Sequence, residues 1–294
     1  MVSKNWVLFY PMLKKIAILL EMIKFEHTVF ALPFAFMGAF LSARGVPGMA
    51  TFVWIIMAMV GARTCAMGFN RIVDREYDKL NPRTASRALP AQAVKLSEAW
   101  IMVILAAGLF FFACYNLNQL TLILSPFALG LTLFYSLTKR FTWLCHIVLG
   151  LALAFSPLGG WVAVSGSLQN YPYALSWGVL FWVAGFDTIY ACLDADFDAE
   201  IGLFSLPSRF GRKNAFRLAV TFHVIAFILF VLTGIVSRLH FPYYVGIVFT
   251  GASLFYQHIV VNPRNLSRIQ LSFFTMNGII SLTLFVATWL SLVI

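Results

Sequence analysis

The sequence predicts an all-α integral membrane protein with nine transmembrane helices, and three observations carry that expectation. The 294 residues are 61% hydrophobic and only 11% charged, where a soluble protein carries about 25% charged residues. Apolar runs of roughly 20 residues, the length a helix needs to cross a bilayer, recur along the chain. The basic residues then fall almost entirely on one side of the resulting topology. A large soluble helical core would need polar faces on its outer helices, and most of these runs lack one.

The elements follow in order. Residues 1–21 mix Lys4, Lys14 and Lys15 with a weakly amphipathic stretch and do not form a cleavable signal peptide. They read as a cytoplasmic or interfacial segment, with residues 4–20 lying along the membrane surface. Residues 22–294 read as one intramembrane domain. Its spans lie near 22–43, 48–69, 98–114, 118–137, 143–164, 174–194, 214–236, 242–261 and 270–293. The third is short and weakly bounded. Pro157 with Gly159 and Gly160 marks the fifth as a place for a kink or a close helix approach.

With the N-terminus inside, all but two of the 21 Lys and Arg lie in the N-terminal segment, the cytoplasmic connections or the helix ends facing them. The exceptions are Arg44 and Arg238. The protein is therefore expected in the cytoplasmic (inner) membrane, with its acidic motifs opening toward the cytoplasm. The net charge of +10 is accounted for by this topology and by anionic lipid, without a nucleic-acid partner. Cys65, Cys114, Cys145 and Cys192 lack metal-ligand spacing and read as small buried hydrophobes. His146, His223, His240 and His258 form no recognisable ligand set. His27, beside Glu26, reads as an interfacial or packing residue.

Two stretches, NRIVDREYD (Asn70 to Asp78) and DTIYACLDADFD (Asp187 to Asp198), hold seven of the eleven acidic residues. Each follows a membrane-length apolar run, where charge is costly unless a partner or a solvated cavity receives it. Asn70, Asp74 and Asp78 are four apart and share one face if the second helix continues through them. Asp194 and Asp198 repeat the spacing at the end of the sixth helix. Stacked like charges repel, and a hard cation such as Mg²⁺, which also binds substrate phosphates, removes that conflict. Glu76 and Glu200 read as solvated, and Asp196 faces away from its neighbours.

Cations sit beside these acids. Lys79, Arg83, Thr84 and Arg87 follow the first stretch, and Tyr135, Lys139 and Arg140 occupy another cytoplasmic connection. Such groups clamp phosphate oxygens and stabilise a departing diphosphate. Arg63 lies seven residues before Asn70, and Asp187 lies seven before Asp194, two turns deeper in each helix. They either pair with each other, or Arg63 binds the carboxylate of an aromatic acid while Asp187 and Tyr190 engage its hydroxyl.

On these motifs the chain resembles the UbiA superfamily of intramembrane prenyltransferases, along nearly its whole length. The family's Asn-x-x-x-Asp-x-x-x-Asp pattern is Asn70, Asp74 and Asp78, followed by RTASRALP. Its second aspartate motif is DTIYACLDADFD, followed by IGLFSLPSRFG, and YSLTKRFT resembles its basic connection. The resemblance implies nine helices and Mg²⁺ held by Asn70, Asp74, Asp78, Asp194 and Asp198. It also implies a polyprenyl diphosphate donor bound by Lys139, Arg140, Arg83, Arg87 and Tyr135. Asp187, Tyr190 and Arg63 would serve an aromatic hydroxy acid in quinone biosynthesis. Arg63 and the Asp187 to Ala191 string look like the branch that prenylates 4-hydroxybenzoate. KFEHTVFALPFAFMGAF, from Lys24 to Phe40, instead resembles enzymes of the futalosine route to menaquinone, whose acceptor is 1,4-dihydroxy-6-naphthoate. A polytopic transporter is the alternative outside the enzymes.

Overall fold

Burial of apolar surface against lipid and against other helices leaves backbone hydrogen bonding as the constraint on such a chain, and helices satisfy it internally. The computed structural model describes residues 15, 17–23 and 28–294. Most of the N-terminal interfacial segment lies outside the described residues, as do Lys24 to His27, although residues 17–22 are helical.

Apart from an isolated β-bridge between Asn262 and Asn265, the regular elements of the described chain are helices, in the order α1 (Thr28–Ala43), α2 (Met49–Val73), α3 (Arg75–Leu80), α4 (Leu96–Leu117), α5 (Gln119–Thr138) and α6 (Cys145–Ser165). It continues with α7 (Tyr173–Ala191), α8 (Ala195–Glu200), α9 (Leu206–Val236), α10 (Phe241–Val260) and α11 (Asn277–Val293), the last entered through a π-helical turn at Leu271–Met276. Seven helices among the described residues are long and apolar enough to cross a membrane: α2, α4, α5, α6, α7, α9 and the continuous Leu271–Val293. The 16-residue α1 and the 20-residue α10 complete nine long helices among the described residues. The third of these runs from Leu96 to Leu117, longer than its apolar run implies. The seventh begins at Leu206 and bends at Gly211, whose φ of 76° suits a residue without Cβ.

Side-chain capping fixes several turns. Asn118 joins α4 directly to α5, accepting from Thr121 N–H at 2.9 Å while its amide donates to Val162 O on α6 at 2.7 Å. Ser205 and Ser208 cap the start of α9 reciprocally. At the opposite surface, Arg44 donates to Ser237 O at 2.9 Å and satisfies an end carbonyl of α9.

The bundle has two halves. On one side α2 packs on α4, with α5 beside them; on the other α7, α9, α10 and α11 pack in sequence. The first half encloses a core around Cys65, Val103 and Phe110, and the second one around Phe34, Trp182, Phe230 and Tyr243. Helices α1 and α6 form the seam between them. At that seam a Cβ on Gly160 would lie 1.9 Å from Ala35 O, and one on Gly38 would lie 1.9 Å from Pro157 O. The two backbones touch, as small residues allow between membrane helices.

Candidate active site at the polar end of the bundle

Both acid-rich motifs are built the same way. Helix α2 does not run through its acids as one straight element: the backbone leaves helical geometry at Asp74 (φ −91°, ψ 1°) and restarts as α3. The second motif breaks at Asp194 (φ −103°, ψ 4°) before α8, and α7 has already ended at Ala191. The i to i−4 bonds nevertheless persist, from Asp74 N–H to Asn70 O at 3.0 Å, from Asp78 N–H to Asp74 O at 2.8 Å, and from Asp198 N–H to Asp194 O at 2.7 Å. Each aspartate therefore stays near the face expected from its spacing, although the helical geometry is interrupted at Asp74 and Asp194.

Four carboxylates meet four cations here. Arg83 grips Asp194 through two bonds, one from Nε to Oδ1 at 2.8 Å and one from Nη2 to Oδ2. Asn81 adds a third bond to Asp194 Oδ1 at 2.9 Å. Arg87 Nη1 lies 2.6 Å from Asp78 Oδ1, and Thr84 Oγ1 donates to Asp78 O at 3.0 Å. Lys139 Nζ reaches Asp198 at 3.5 Å, whereas its neighbour Arg140 turns the other way, to Asp74 at 3.4 Å and Val73 O at 2.7 Å. One dipeptide thus bridges the two motifs. Asn70 donates to Asp74 Oδ2 at 2.9 Å.

These contacts set the titration of the site. Burial, then repulsion from Asp78, pushes the Asp74 carboxyl above its ordinary value against the pull of Lys139 and Arg140. Burial also acts to raise Asp194, but the Arg83 and Asn81 hydrogen bonds and the Arg83 charge outweigh it and hold that carboxyl low. The same pair raises Arg83 despite its desolvation. Lys139 is raised too, because Asp198 and its other anionic neighbours overcome the cost of burial.

The donor set fits a hard cation. It consists of carboxylate and amide oxygens, and Asp78 Oδ2 is buried without a hydrogen-bond partner among the described residues. No group of three His, Cys, Asp or Glu side chains forms a ready ligand cage among the described residues. That arrangement suits Mg²⁺, which keeps waters and shares substrate phosphates instead of filling an all-protein cage.

All of these groups line one cavity of about 1180 Å³. It runs from Asp78, Arg87 and Asp198 to Leu117 and Ala163, near the opposite ends of α4 and α6. Arg63, Tyr135, Asp187 and Tyr190 line it below the ion pairs. Asp187 is held by His146, with Nδ1 2.6 Å from Oδ2. Tyr190 receives Arg83 Nη1 at 3.4 Å on its hydroxyl, and its ring centre lies 4.3 Å from that of Phe273. The π-helical turn places the consecutive rings Phe273 and Phe274 on the cavity. Its carbonyls find side-chain donors: Gln257 Nε2 to Ser272 O at 3.0 Å and Asn277 Nδ2 to Phe273 O at 2.9 Å.

Asp196 and Glu76 stand apart, paired with Arg212 and Arg75 at the surface. Sequence reasoning missed His146, Asn81 and the Phe273–Phe274 pair. An ionisable residue inside an apolar run is a functional candidate by default, so the reasoning that marks Asp187 applies to His146 as well. Asn81 and the π-turn carry no such signal.

The comparisons with known proteins agree on one family. The UbiA prenyltransferase family matches residues 31–279. A 4-hydroxybenzoate octaprenyltransferase of Citrobacter koseri is 30% identical over 257 residues, covering 86% of this chain and 87% of that protein. One from Actinobacillus pleuropneumoniae is 32% identical over 216 residues, covering 74% and 73%. Among solved structures, the apo UbiA homolog from Aeropyrum pernix K1 superposes with a TM-score of 0.83 at 36% identity, over 89% of this chain and 96% of that one. A UbiA homolog from Archaeoglobus fulgidus bound to GPP and Mg²⁺ shares the fold, with a TM-score of 0.73 at 18% identity over 94% and 100%. With the family match spanning most of its length and seven membrane-crossing helices among its described residues, the chain is a multi-pass membrane prenyltransferase and belongs to the UbiA prenyltransferase family.

Proposed function

We propose that this enzyme transfers a polyprenyl group from a polyprenyl diphosphate to a ring carbon of 4-hydroxybenzoate. The observation that carries the reading is one cavity with three kinds of wall. Its polar end holds paired acids and cations, its middle holds Arg63, Asp187 and Tyr190, and its remainder is largely apolar. A diphosphate, an aromatic hydroxy acid and a prenyl tail need those three environments in that order. The similarity to 4-hydroxybenzoate octaprenyltransferases supports the choice of acceptor.

Asn70, Asp74 and Asp78, with Asp194 and Asp198, would hold Mg²⁺, which when bound neutralises diphosphate charge and makes it a better leaving group. The Archaeoglobus fulgidus homolog, solved once with GPP and Mg²⁺ and once with DMAPP and Mg²⁺, supports a role for the metal. Lys139, Arg140, Arg83 and Arg87 supply positive charge to the departing diphosphate, with Tyr135 beneath them. The donor's C–O bond breaks with its electron pair leaving on the diphosphate, and the acceptor carbon ortho to the hydroxyl forms the new C–C bond. The ring proton passes to the departed diphosphate as aromaticity returns. Arg63 orients the acceptor's carboxylate, and Asp187 with Tyr190 orients its hydroxyl and raises ring nucleophilicity. The apolar walls exclude water from the allylic cation.

The positive-inside asymmetry supports a cytoplasmic opening in the inner membrane. The family match sets aside a transporter. A second acceptor, 1,4-dihydroxy-6-naphthoate, is favoured by the Lys24 to Phe40 string and carries the same carboxylate and hydroxyl. The test supplies purified protein with octaprenyl diphosphate, Mg²⁺ and each acid in turn, with products identified by mass spectrometry. Prenylated 4-hydroxybenzoate is expected; product only from the naphthoate would transfer the assignment, and product from neither would overturn it.

A further inference from the structure

His146 is fully buried at the first turn of α6 and stands alone among apolar residues in sequence. Its two ring nitrogens face different partners. Nδ1 lies 2.6 Å from Asp187 Oδ2 on α7, and Leu206 N–H, at the start of α9, donates to Nε2 at 3.3 Å. A backbone N–H aimed at Nε2 requires a lone pair there, so the imidazole proton sits on Nδ1 and points at the carboxylate. That bond is charge-assisted and short, the stronger kind. It occupies Oδ2, so a hydroxyl in the cavity would be met by Oδ1.

We propose that His146 is a positioning residue for prenyl transfer: the neutral ring donates from Nδ1 to Asp187 Oδ2, fixes the carboxyl group with its other oxygen turned to the cavity, and exchanges no proton itself. The proposal rests on the reading of Asp187 as the group that engages the acceptor hydroxyl. Leu206 N–H selects the tautomer, because a proton on Nε2 would meet it head-on. The same short segment grips the polar end. Phe204 N–H donates to Lys139 O at 2.7 Å, and Cys145 Sγ–H donates to Phe204 O at 3.6 Å. Residues 204–206 therefore anchor both the imidazole behind Asp187 and the backbone of the lysine that reaches Asp198.

The test compares full-length wild type, His146→Gln, His146→Leu and Asp187→Asn in steady state, with octaprenyl diphosphate and 4-hydroxybenzoate as probes. His146→Leu should cut kcat/KM for 4-hydroxybenzoate by about 30-fold or more while the KM for octaprenyl diphosphate stays within about twofold. Glutamine can donate to Asp187 and accept from Leu206, so His146→Gln should recover activity to within about fivefold of wild type. Equal losses in the Gln and Leu variants would overturn the proposal in favour of a proton-relaying imidazole. A donor KM that rises alongside the acceptor terms would overturn it in favour of general distortion. Full activity in Asp187→Asn would remove the underlying reading of Asp187; an inactive Asp187→Asn with a fully active His146→Leu would remove His146 alone. If the Leu variant does not fold, ¹⁵N-histidine NMR of the wild type decides. A signal of the Nδ1–H tautomer that disappears in His146→Gln is expected, and an imidazolium or Nε2–H form at that position overturns the proposal.

Discussion

Arg83 and Asp194, 111 residues apart in sequence, meet through two hydrogen bonds and tie the loop after the first acidic motif to the second motif where α7 gives way to α8. A planar guanidinium matches both oxygens of a carboxylate, and an ammonium cannot. Arg83→Ala should lower turnover by about 100-fold, equivalent to about 3 kcal/mol of transition-state stabilisation, and Arg83→Lys should recover less than a tenth of the loss. Steady-state rates with octaprenyl diphosphate and 4-hydroxybenzoate check this. Near wild-type rates in the lysine variant would show that charge alone matters at this position.

The carboxylates should govern the response to Mg²⁺. Asp74→Asn and Asp194→Asn are each expected to reduce turnover by about 100-fold or more and to raise the Mg²⁺ concentration giving half-maximal rate. Membrane insertion should be unaffected, because neither residue lies within a membrane-crossing helix. A Mg²⁺ titration of initial rates, with detergent-solubilised yield as the control, makes the measurement. Unchanged titration curves in both variants would sink the metal assignment.

Arg63 gives a separate expectation. Arg63→Ala should raise the acceptor KM by about tenfold or more and leave the KM of the prenyl diphosphate within about twofold, since a charge-assisted contact contributes about 1.5–3 kcal/mol. Phenol, which lacks the carboxylate, should lose little in the variant relative to wild type. An equal loss on 4-hydroxybenzoate and phenol would exclude carboxylate recognition by this arginine.

The π-helical turn should depend on its side-chain donor. Gln257→Leu leaves Ser272 O without the amide that reaches it at 3.0 Å, at a cost of about 1–3 kcal/mol. Faster hydrogen exchange confined to residues 270–277, with a lowered Tm in detergent, is the expected outcome. Unchanged exchange there would mean that the turn holds its shape without Gln257.

The nine long helices were legible because each apolar run approaches the bilayer thickness, and that length decides the element before any packing is known. The alignment of Asn70, Asp74 and Asp78 was legible for the same local reason, their fourfold spacing. The breaks at Asp74 and Asp194 were not, because no glycine or proline stands at either position to mark them. Pairing across the site was also hidden. Arg83 could be placed beside acids from sequence, but its choice of Asp194 over the nearer Asp78 depends on how α7 and α2 come together. Likewise Lys139 and Arg140 read as one basic pair, and only the fold sends them to different motifs. The sequence leaves Arg63 and Asp187 either as mutual partners or as separate contacts for an acceptor, and it gives no sign that His146, from a third helix, lies against Asp187.

The contact of α1 with α6 at Gly38 and Gly160 has a mechanical consequence for the cavity that Ala31, Ala35, Ser156 and Gly160 help to line. With no layer of side chains between the two backbones, their separation is fixed at that crossing. Changes that widen or shorten the apolar chamber come instead from the side chains that project into it, Leu149, Leu153 and Phe155 of α6 and Phe110, Leu117 and Leu129 of α4 and α5. Remodelling the enzyme for a tail of different length is thus a matter of exchanging side chains around a fixed backbone seam.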